Sequence, residues 1–274
     1  MDDILTKIIA NKRIEVANQK EAVSIDTMLS FGAYRMERHT ISMRKALAGS
    51  TSGIIAEFKR KSPSKGWLHP QARVKDVVPA YEKGGASACS ILTDGDYFGG
   101  SFADLYQARQ LVDLPLLRKD FMIDEYQLFQ ARIMGADAIL LIAAALTKES
   151  CSHLAEIAHT LDLEVLLEIH NETELDYLNP HIDMLGVNNR NLGTFNTTTD
   201  NSFRLIEEMQ KHVGKGENAP LLISESGISD VDVVRQLRTA GFRGFLIGET
   251  FMKTTTPGET LNVFINQLTA SEVI

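Results

Sequence analysis

The sequence is short of everything that would tie it to a membrane, a nucleic acid, a disulfide framework or a metal. Its longest apolar run, Ala138 to Leu146, falls far short of the roughly 20 residues that a spanning helix needs. The start, Met1-Asp2-Asp3-Ile4, has neither the basic nor the apolar stretch of a signal peptide. A soluble, cytoplasmic protein with no membrane partner is expected. Positive charge is in deficit: the formal net charge is −8. No global field recruits a phosphate backbone, so no nucleic-acid partner is expected, and any bound anion must be met by locally placed cations. There are two cysteines, Cys89 and Cys151, in neither a CxxC nor a Cys/His pattern. They read as reduced thiols, Cys89 as a small buried hydrophobe. None of the seven histidines falls in a metal-ligand pattern, and His69, His153, His159, His170 and His181 read as surface or loop residues. No Ser-His-Asp arrangement stands out and no GxGxxG opens a strand–helix unit, which removes the usual dinucleotide signal. No metal and no cofactor is expected.

What the chain does have is a regular alternation. Apolar runs lie at residues 53–58, 88–92, 114–117, 136–142, 164–168, 184–187, 221–224 and 244–247. Most are continuous rather than alternating, as parallel strands buried on both faces require. Between them lie segments with helical spacing, among them residues 124–134, 148–160, 231–239 and 259–268. Glycines at Gly84-Gly85, Gly135 and Gly241 stand where such helices must stop. An eightfold βα repeat closes into a barrel or opens into a doubly wound sheet. The even spacing and the missing dinucleotide motif favour a (β/α)8 TIM barrel, and 274 residues is near the roughly 250 typical of that fold. We expect one domain over residues 1–274. Residues 1–50 form a helical N-terminal extension whose stripe of Ile4, Leu5, Ile8 and Ile9 packs on the barrel.

In such a barrel the chemistry sits at the C-terminal ends of the strands. The first strand ends in Glu57 and Lys59, whose spacing puts them on one side. A carboxylate and an ammonium aimed into a barrel mouth are costly unless paired or used; a structural rim salt bridge is the competing reading. Lys119 follows the third apolar run. Glu168 closes the fifth, where desolvation is expected to raise its pKa. Asn188 and Arg190 follow the sixth. Any one could be a rim residue, but acids and bases converging from four strands suit proton transfer. Runs seven and eight lead into Ser226-Gly227 and Gly248-Glu249, where many barrels bind phosphate with backbone N–H groups. The basic segment from Arg60 to Trp67 reads as a loop over the mouth bringing positive charge to an anionic substrate, or else as a solvated loop.

These residues carry a resemblance. The segment Ile55-Ala56-Glu57-Phe58-Lys59-Arg60-Lys61-Ser62-Pro63-Ser64-Lys65-Gly66 closely resembles the signature of indole-3-glycerol phosphate synthases. Matching segments follow in the expected order at residues 117–121, 135–141, 164–168, 186–192 and 224–228. The resemblance implies a lyase of tryptophan synthesis that acts on a small sugar phosphate, 1-(2-carboxyphenylamino)-1-deoxyribulose 5-phosphate, closing the indole ring with loss of carbon dioxide and water. It implies that Lys119 is the general acid at the carbonyl and that Glu168 and Glu57 are acid/base and charge-stabilising carboxylates. Lys59 would position the substrate carboxylate or donate a proton in the dehydration. Asn188 and Arg190 would hold hydroxyls, with Glu225 and Ser226 beside them, and Phe121 would line the aromatic slot. Ser62, Gly227, Gly248 and the backbone of Glu249 would hold the phosphate. Asn189 stands where some relatives carry serine, and should point away from the pocket. Glu249 stands where serine is another family choice, and its carboxylate should turn outward from a phosphate. A phosphoribosylanthranilate isomerase or a tryptophan synthase α chain, the nearest enzymatic rivals, would leave the first-strand segment and the two lysines unexplained. A silent scaffold barrel would tolerate loss of Lys119 or Glu168. We expect a monomer.

Overall fold

The computed structural model describes residues 4–191, 196–216 and 218–270. Met1 to Asp3 of the expected extension and Leu192 of the matched segment lie outside the described residues. The chain begins with helices α1 (Ile4–Ala22), α2 (Ile25–Gly32) and α3 (Met43–Ala48). The barrel strands are β1 (Ile54–Phe58), β2 (Ala88–Leu92), β3 (Leu116–Lys119), β4 (Ala138–Ile142), β5 (Glu164–Ile169), β6 (Met184–Asn188), β7 (Leu221–Glu225) and β8 (Gly244–Ile247). All pair in parallel with their sequence neighbours, and β1 pairs with both β8 and β2, closing the barrel. The helices between and after the strands are α4 (Val74–Lys83), α5 (Gly95–Phe98), α6 (Phe102–Arg109), α7 (Glu125–Met134), α8 (Lys148–Thr160), α9 (Asp200–Val213), α10 (Val231–Ala240), α11 (Glu249–Met252) and α12 (Pro257–Thr269). The fifth crossover departs from the eightfold expectation: a 3-10 helix, Glu172–Tyr177, stands where an α-helix was expected.

Local chemistry sets the boundaries. Asp124 caps α7 in a reciprocal capping box with Gln127. At its other end, Gly135 turns left-handed at φ 93° and stops the helix before β4. At the Gly84-Gly85 turn only the second glycine takes a positive φ, 92°; Gly84 stays helical at −73°. Strand β3 runs two residues further than its apolar run, through Arg118 and Lys119. Arg118 is buried there because Thr93, Asp120 and the Gln127 carbonyl take its N–H groups.

The barrel interior is filled by Ile55, Leu117, Leu140, Leu166, Met184, Ile223 and Leu246, and Met43 and Leu47 of α3 plug its N-terminal end. The plug is fastened by Glu164, the first residue of β5, which accepts the Arg44 N–H at 2.8 Å and the Ser42 hydroxyl. The second apolar layer lies between strands and helices. Each fully buried Leu or Ile contributes about 2 kcal/mol.

Helix α1 goes to the opposite end. It buries Leu5, Ile8, Ile9 and Val16, and between them Lys12, which is 1% exposed. The Lys12 ammonium lies 3.0 Å from Asp94, just past β2, and 3.0 Å from Asp120, just past β3. A buried charge is tolerated only when paired. Lys12 therefore clamps the extension across the C-terminal mouth of the barrel.

Candidate active site

The mouth holds a cavity of about 720 Å³. Strands β1, β3 and β6 feed it by the same rule, projecting residues two apart from the strand end: Glu57 and Lys59, Lys119 and Phe121, Asn188 and Arg190; β5 contributes Glu168. Glu57, Lys59, Lys119, Phe121, Glu168, Asn188 and Arg190 all line the cavity. Lys59 and Glu57 pair at 2.5 Å. Lys119 lies 3.5 Å from Glu168 and 3.7 Å from Glu225. Arg190 donates to the Ser64 hydroxyl at 3.2 Å, which ties the first loop to β6.

This packing fixes the charges. Burial pulls the Lys119 ammonium down, but Glu168, Glu225 and Glu57 outweigh it and hold the pKa above the ordinary lysine value. Burial likewise pushes Glu57 up, and Lys59 and Lys119 bring it below the usual carboxylate range. The expectation for Glu168 is corrected. Burial raises its pKa as anticipated, but Lys119, His170 and a hydrogen bond from Asn188 more than reverse the effect, and it lies below the ordinary value. The raised carboxyl is Glu225. Fully buried, it is pushed up to about 8 by burial and by Glu168, against the pull of Lys119. One cation thus serves two carboxyls, and the second keeps its proton.

Not every predicted site residue reaches the cavity. Glu225 sits behind Lys119 and is absent from the lining, so its position offers action through Lys119 rather than contact with a substrate. Ser62 is also withdrawn: it is 1% exposed, and its hydroxyl accepts the Lys65 N–H at 3.2 Å within a tight hairpin pairing Lys61–Ser62 with Gly66–Trp67. Its neighbours Pro63, Ser64 and Lys65 face the cavity instead. Ser226, Gly227, Gly248 and Glu249 lie along the cavity's other side. A Cβ at Gly248 would stand 2.3 Å from a Glu57 carboxylate oxygen, so that glycine also makes room for the acid of β1. The Glu249 carboxylate does not turn wholly outward; it reaches to 3.6 Å from the Arg190 guanidinium. Asn189 points away from the mouth, its amide donating to Ser224 and to the Ser226 carbonyl.

Four features escaped the sequence reading. Ile4, Leu5 and Ile8 of α1 form part of the cavity wall, near Phe121 and Phe98, whose rings lie 6.1 Å apart. Lys253, after α11, adds a cation to the glycine side. Lys12 anchors the wall. His170, read as a surface or loop residue, is mostly buried, 3.4 Å from Glu168; the two-residue spacing that paired Lys59 with Glu57 would have paired it with Glu168. Among the described residues no cluster of His, Cys, Asp and Glu has the grouping of a metal site, and no helix is long and apolar enough to cross a membrane.

The family model described as indole-3-glycerol phosphate synthase matches residues 5–264. A protein of that name from Bacteroides thetaiotaomicron is 60% identical over 268 residues, covering 98% of this chain and all of its own length. Another, from Neisseria meningitidis serogroup B, is 44% identical over 256 residues, covering 92% and 95%. Among solved structures, a mutant tryptophan synthase alpha-subunit from Pyrococcus furiosus is similar with a TM-score of 0.59 at 15% identity, covering 80% of this chain and 98% of that one. That likeness speaks for the barrel alone.

Proposed function

The chain belongs to the indole-3-glycerol phosphate synthase family, and from that premise we propose how its mouth carries out the reaction. It is a carboxy-lyase of tryptophan biosynthesis. The substrate is 1-(2-carboxyphenylamino)-1-deoxyribulose 5-phosphate. The aromatic ring enters the apolar side of the cavity, between Phe121 and the α1 wall. The phosphate lies at the turns after β7 and β8, where Gly227 and Gly248 let backbone N–H groups approach and Lys253 supplies charge.

Lys119, held cationic by its carboxylates, donates a proton to the ketone oxygen as the ring carbon bearing the carboxylate attacks the ketone carbon. The new carbon–carbon bond forms, the ketone becomes a hydroxyl, and the carboxylate leaves as carbon dioxide. That hydroxyl then departs as water, taking one proton, while the new ring loses another and becomes aromatic. Glu57 and Glu168 flank these proton transfers from opposite strands. Lys59, at 2.5 Å from Glu57, holds the substrate carboxylate or supplies the dehydration proton. Asn188 and Arg190 hold the sugar hydroxyls. Glu225 acts through Lys119, and Ser62 acts by shaping the loop that presents Ser64 and Lys65. General acid–base groups so placed contribute about 100- to 10,000-fold each.

The observation that carries this reading is the placement of Lys119 within 3.5 Å of Glu168 and 3.7 Å of Glu225, in a cavity with an apolar wall on one side and glycine turns on the other. We propose that the chain works as one domain with an N-terminal extension, as a monomer in the cytoplasm. The test is turnover: the purified protein should release one carbon dioxide for each indole chromophore formed from this substrate. A folded protein that forms no indole would sink the assignment.

A further inference from the structure

His170 lies just past the end of β5, on the same side as Glu168. Its side chain is 12% exposed. Nε2 stands 3.4 Å from a Glu168 carboxylate oxygen, and Nδ1 stands 3.6 Å from Glu174, in the 3-10 helix that replaces the fifth crossover. Neither ring nitrogen has a closer hydrogen-bond partner. The surroundings hold the ring in place. Glu174 accepts the His170 backbone N–H at 2.7 Å and the Asn171 amide at 2.7 Å, and the His170 carbonyl accepts the Asn201 amide from α9 at 3.1 Å. The ionisable groups around the ring are Glu168 from β5, Glu174 from the 3-10 turn and the protonated Glu225 from β7; Lys119 of β3 lies across Glu168. All three groups acting on the ring are carboxyls. Burial alone would favour the neutral imidazole, but Glu174 and Glu168 more than offset it and raise the pKa above the ordinary histidine value.

Glu168 has a charge problem that Lys119 alone does not solve. At rest, Lys119 compensates the buried carboxylate. Once Lys119 gives its proton to a substrate oxygen, that compensation is gone, and a desolvated carboxylate would take up the nearest proton. A second cation on its opposite side removes the difficulty. We propose that His170 is a positioning residue for Glu168: clamped as an imidazolium between Glu168 and Glu174, it fixes the carboxylate's orientation and keeps it ionised while Lys119 turns to the substrate. The inference rests on the synthase reading for the roles of Lys119 and Glu168. The clamp itself rests on the geometry of three side chains.

The test combines a pH profile with a titration that needs no turnover. In His170→Asn, kcat at neutral pH should fall about 10- to 100-fold, of the order expected when a proton-transfer group is mis-set, with KM within about threefold. Its acid limb should move to higher pH, because Glu168 has lost a cation. Glu174→Gln keeps the histidine but removes one of its carboxylates. It should retain kcat within about twofold near pH 6 and bring the alkaline limb down by about one pH unit, since a lone carboxylate neighbour typically shifts a group by that order. Nitrogen-15 NMR of the imidazole in the substrate-free enzyme should show His170 titrating above the ordinary histidine value, and titrating lower in Glu174→Gln. A His170→Asn profile that merely runs parallel below the wild type at every pH would mean a packing role and overturn the proposal. So would an imidazole titration that Glu174→Gln leaves unmoved. Failure of the intact enzyme to form indole is a separate result. It removes the synthase reading, while the NMR titration still decides whether the clamp exists.

Discussion

Gly186 and Glu225 occupy one another's space: a Cβ on Gly186 of β6 would stand 2.3 Å from a carboxyl oxygen of Glu225 on β7. The missing side chain is what admits a glutamate into the barrel behind Lys119. In Gly186→Ala the carboxyl must move, and it has Lys119 on its other side at 3.7 Å. Overpacking of this kind costs about 1–3 kcal/mol. We expect that loss in urea unfolding and a fall in kcat larger than the change in KM.

Glu225 also gives the protein a pH signature. Its carboxyl is raised from 4.5 to about 8 in the folded state, so the folded chain holds a proton there that the unfolded chain has released. Stability from this group is fully present below about pH 4.5 and is lost as pH rises toward 8. The slope is at most about 1.4 kcal/mol per pH unit. Glu225→Gln, which stays neutral, should flatten unfolding free energy between pH 5 and 8 and be more stable than the wild type at pH 8. Unfolding curves at several pH values check it; an unchanged slope would mean that Glu225 is ionised in the folded protein.

The barrel was legible from the chain because strands buried on both faces must be apolar throughout. The apolar runs at 88–92 and 244–247 coincide with β2 and β8. Legibility stopped where a charge is buried by a partner distant in sequence. Strand β3 was placed too early because Arg118 and Lys119 look like solvent residues until Asp120, Thr93, Glu168 and Glu225 surround them. The site residues on β1, β3, β5 and β6 could be named from where they stand at the ends of apolar runs. The sign of the Glu168 shift could not, since it depends on which of two glutamates lies nearer a shared lysine. The placement of Ser62 was illegible for a related reason: its motif marks the loop, and the hairpin decides which hydroxyl faces the cavity.

Lys12 tests the contribution of α1. Removing one partner from a buried ion pair typically costs about 3–5 kcal/mol, and Lys12→Met would leave Asp94 and Asp120 without their ammonium. Because α1 carries Ile4, Leu5 and Ile8 into the cavity wall, KM should rise more than kcat falls. Thermal unfolding and steady-state kinetics report the two effects separately; a variant with wild-type KM would show that the wall does not depend on this anchor.

The carboxylate of Glu249 stands beside the proposed phosphate turn and 3.6 Å from Arg190. Glu249→Gln should free the guanidinium and remove a repulsion. Both changes favour an anionic substrate, and since the pair is partly exposed the gain should be modest, about threefold in KM. The effect should shrink as ionic strength rises. Steady-state kinetics at low and high salt check it.

The central claim is that Lys119 gives its proton to the substrate carbonyl. Lys119→Ala should still bind the carboxyphenylamino-deoxyribulose phosphate within about tenfold of the wild type, because the wall and the glycine turns are untouched. The single-turnover rate of indole fluorescence should fall by about 100- to 10,000-fold. Binding retained with that loss of rate is the predicted result. A Lys119→Ala protein that forms indole at near wild-type rate would contradict the account and shift the proton donor to Lys59.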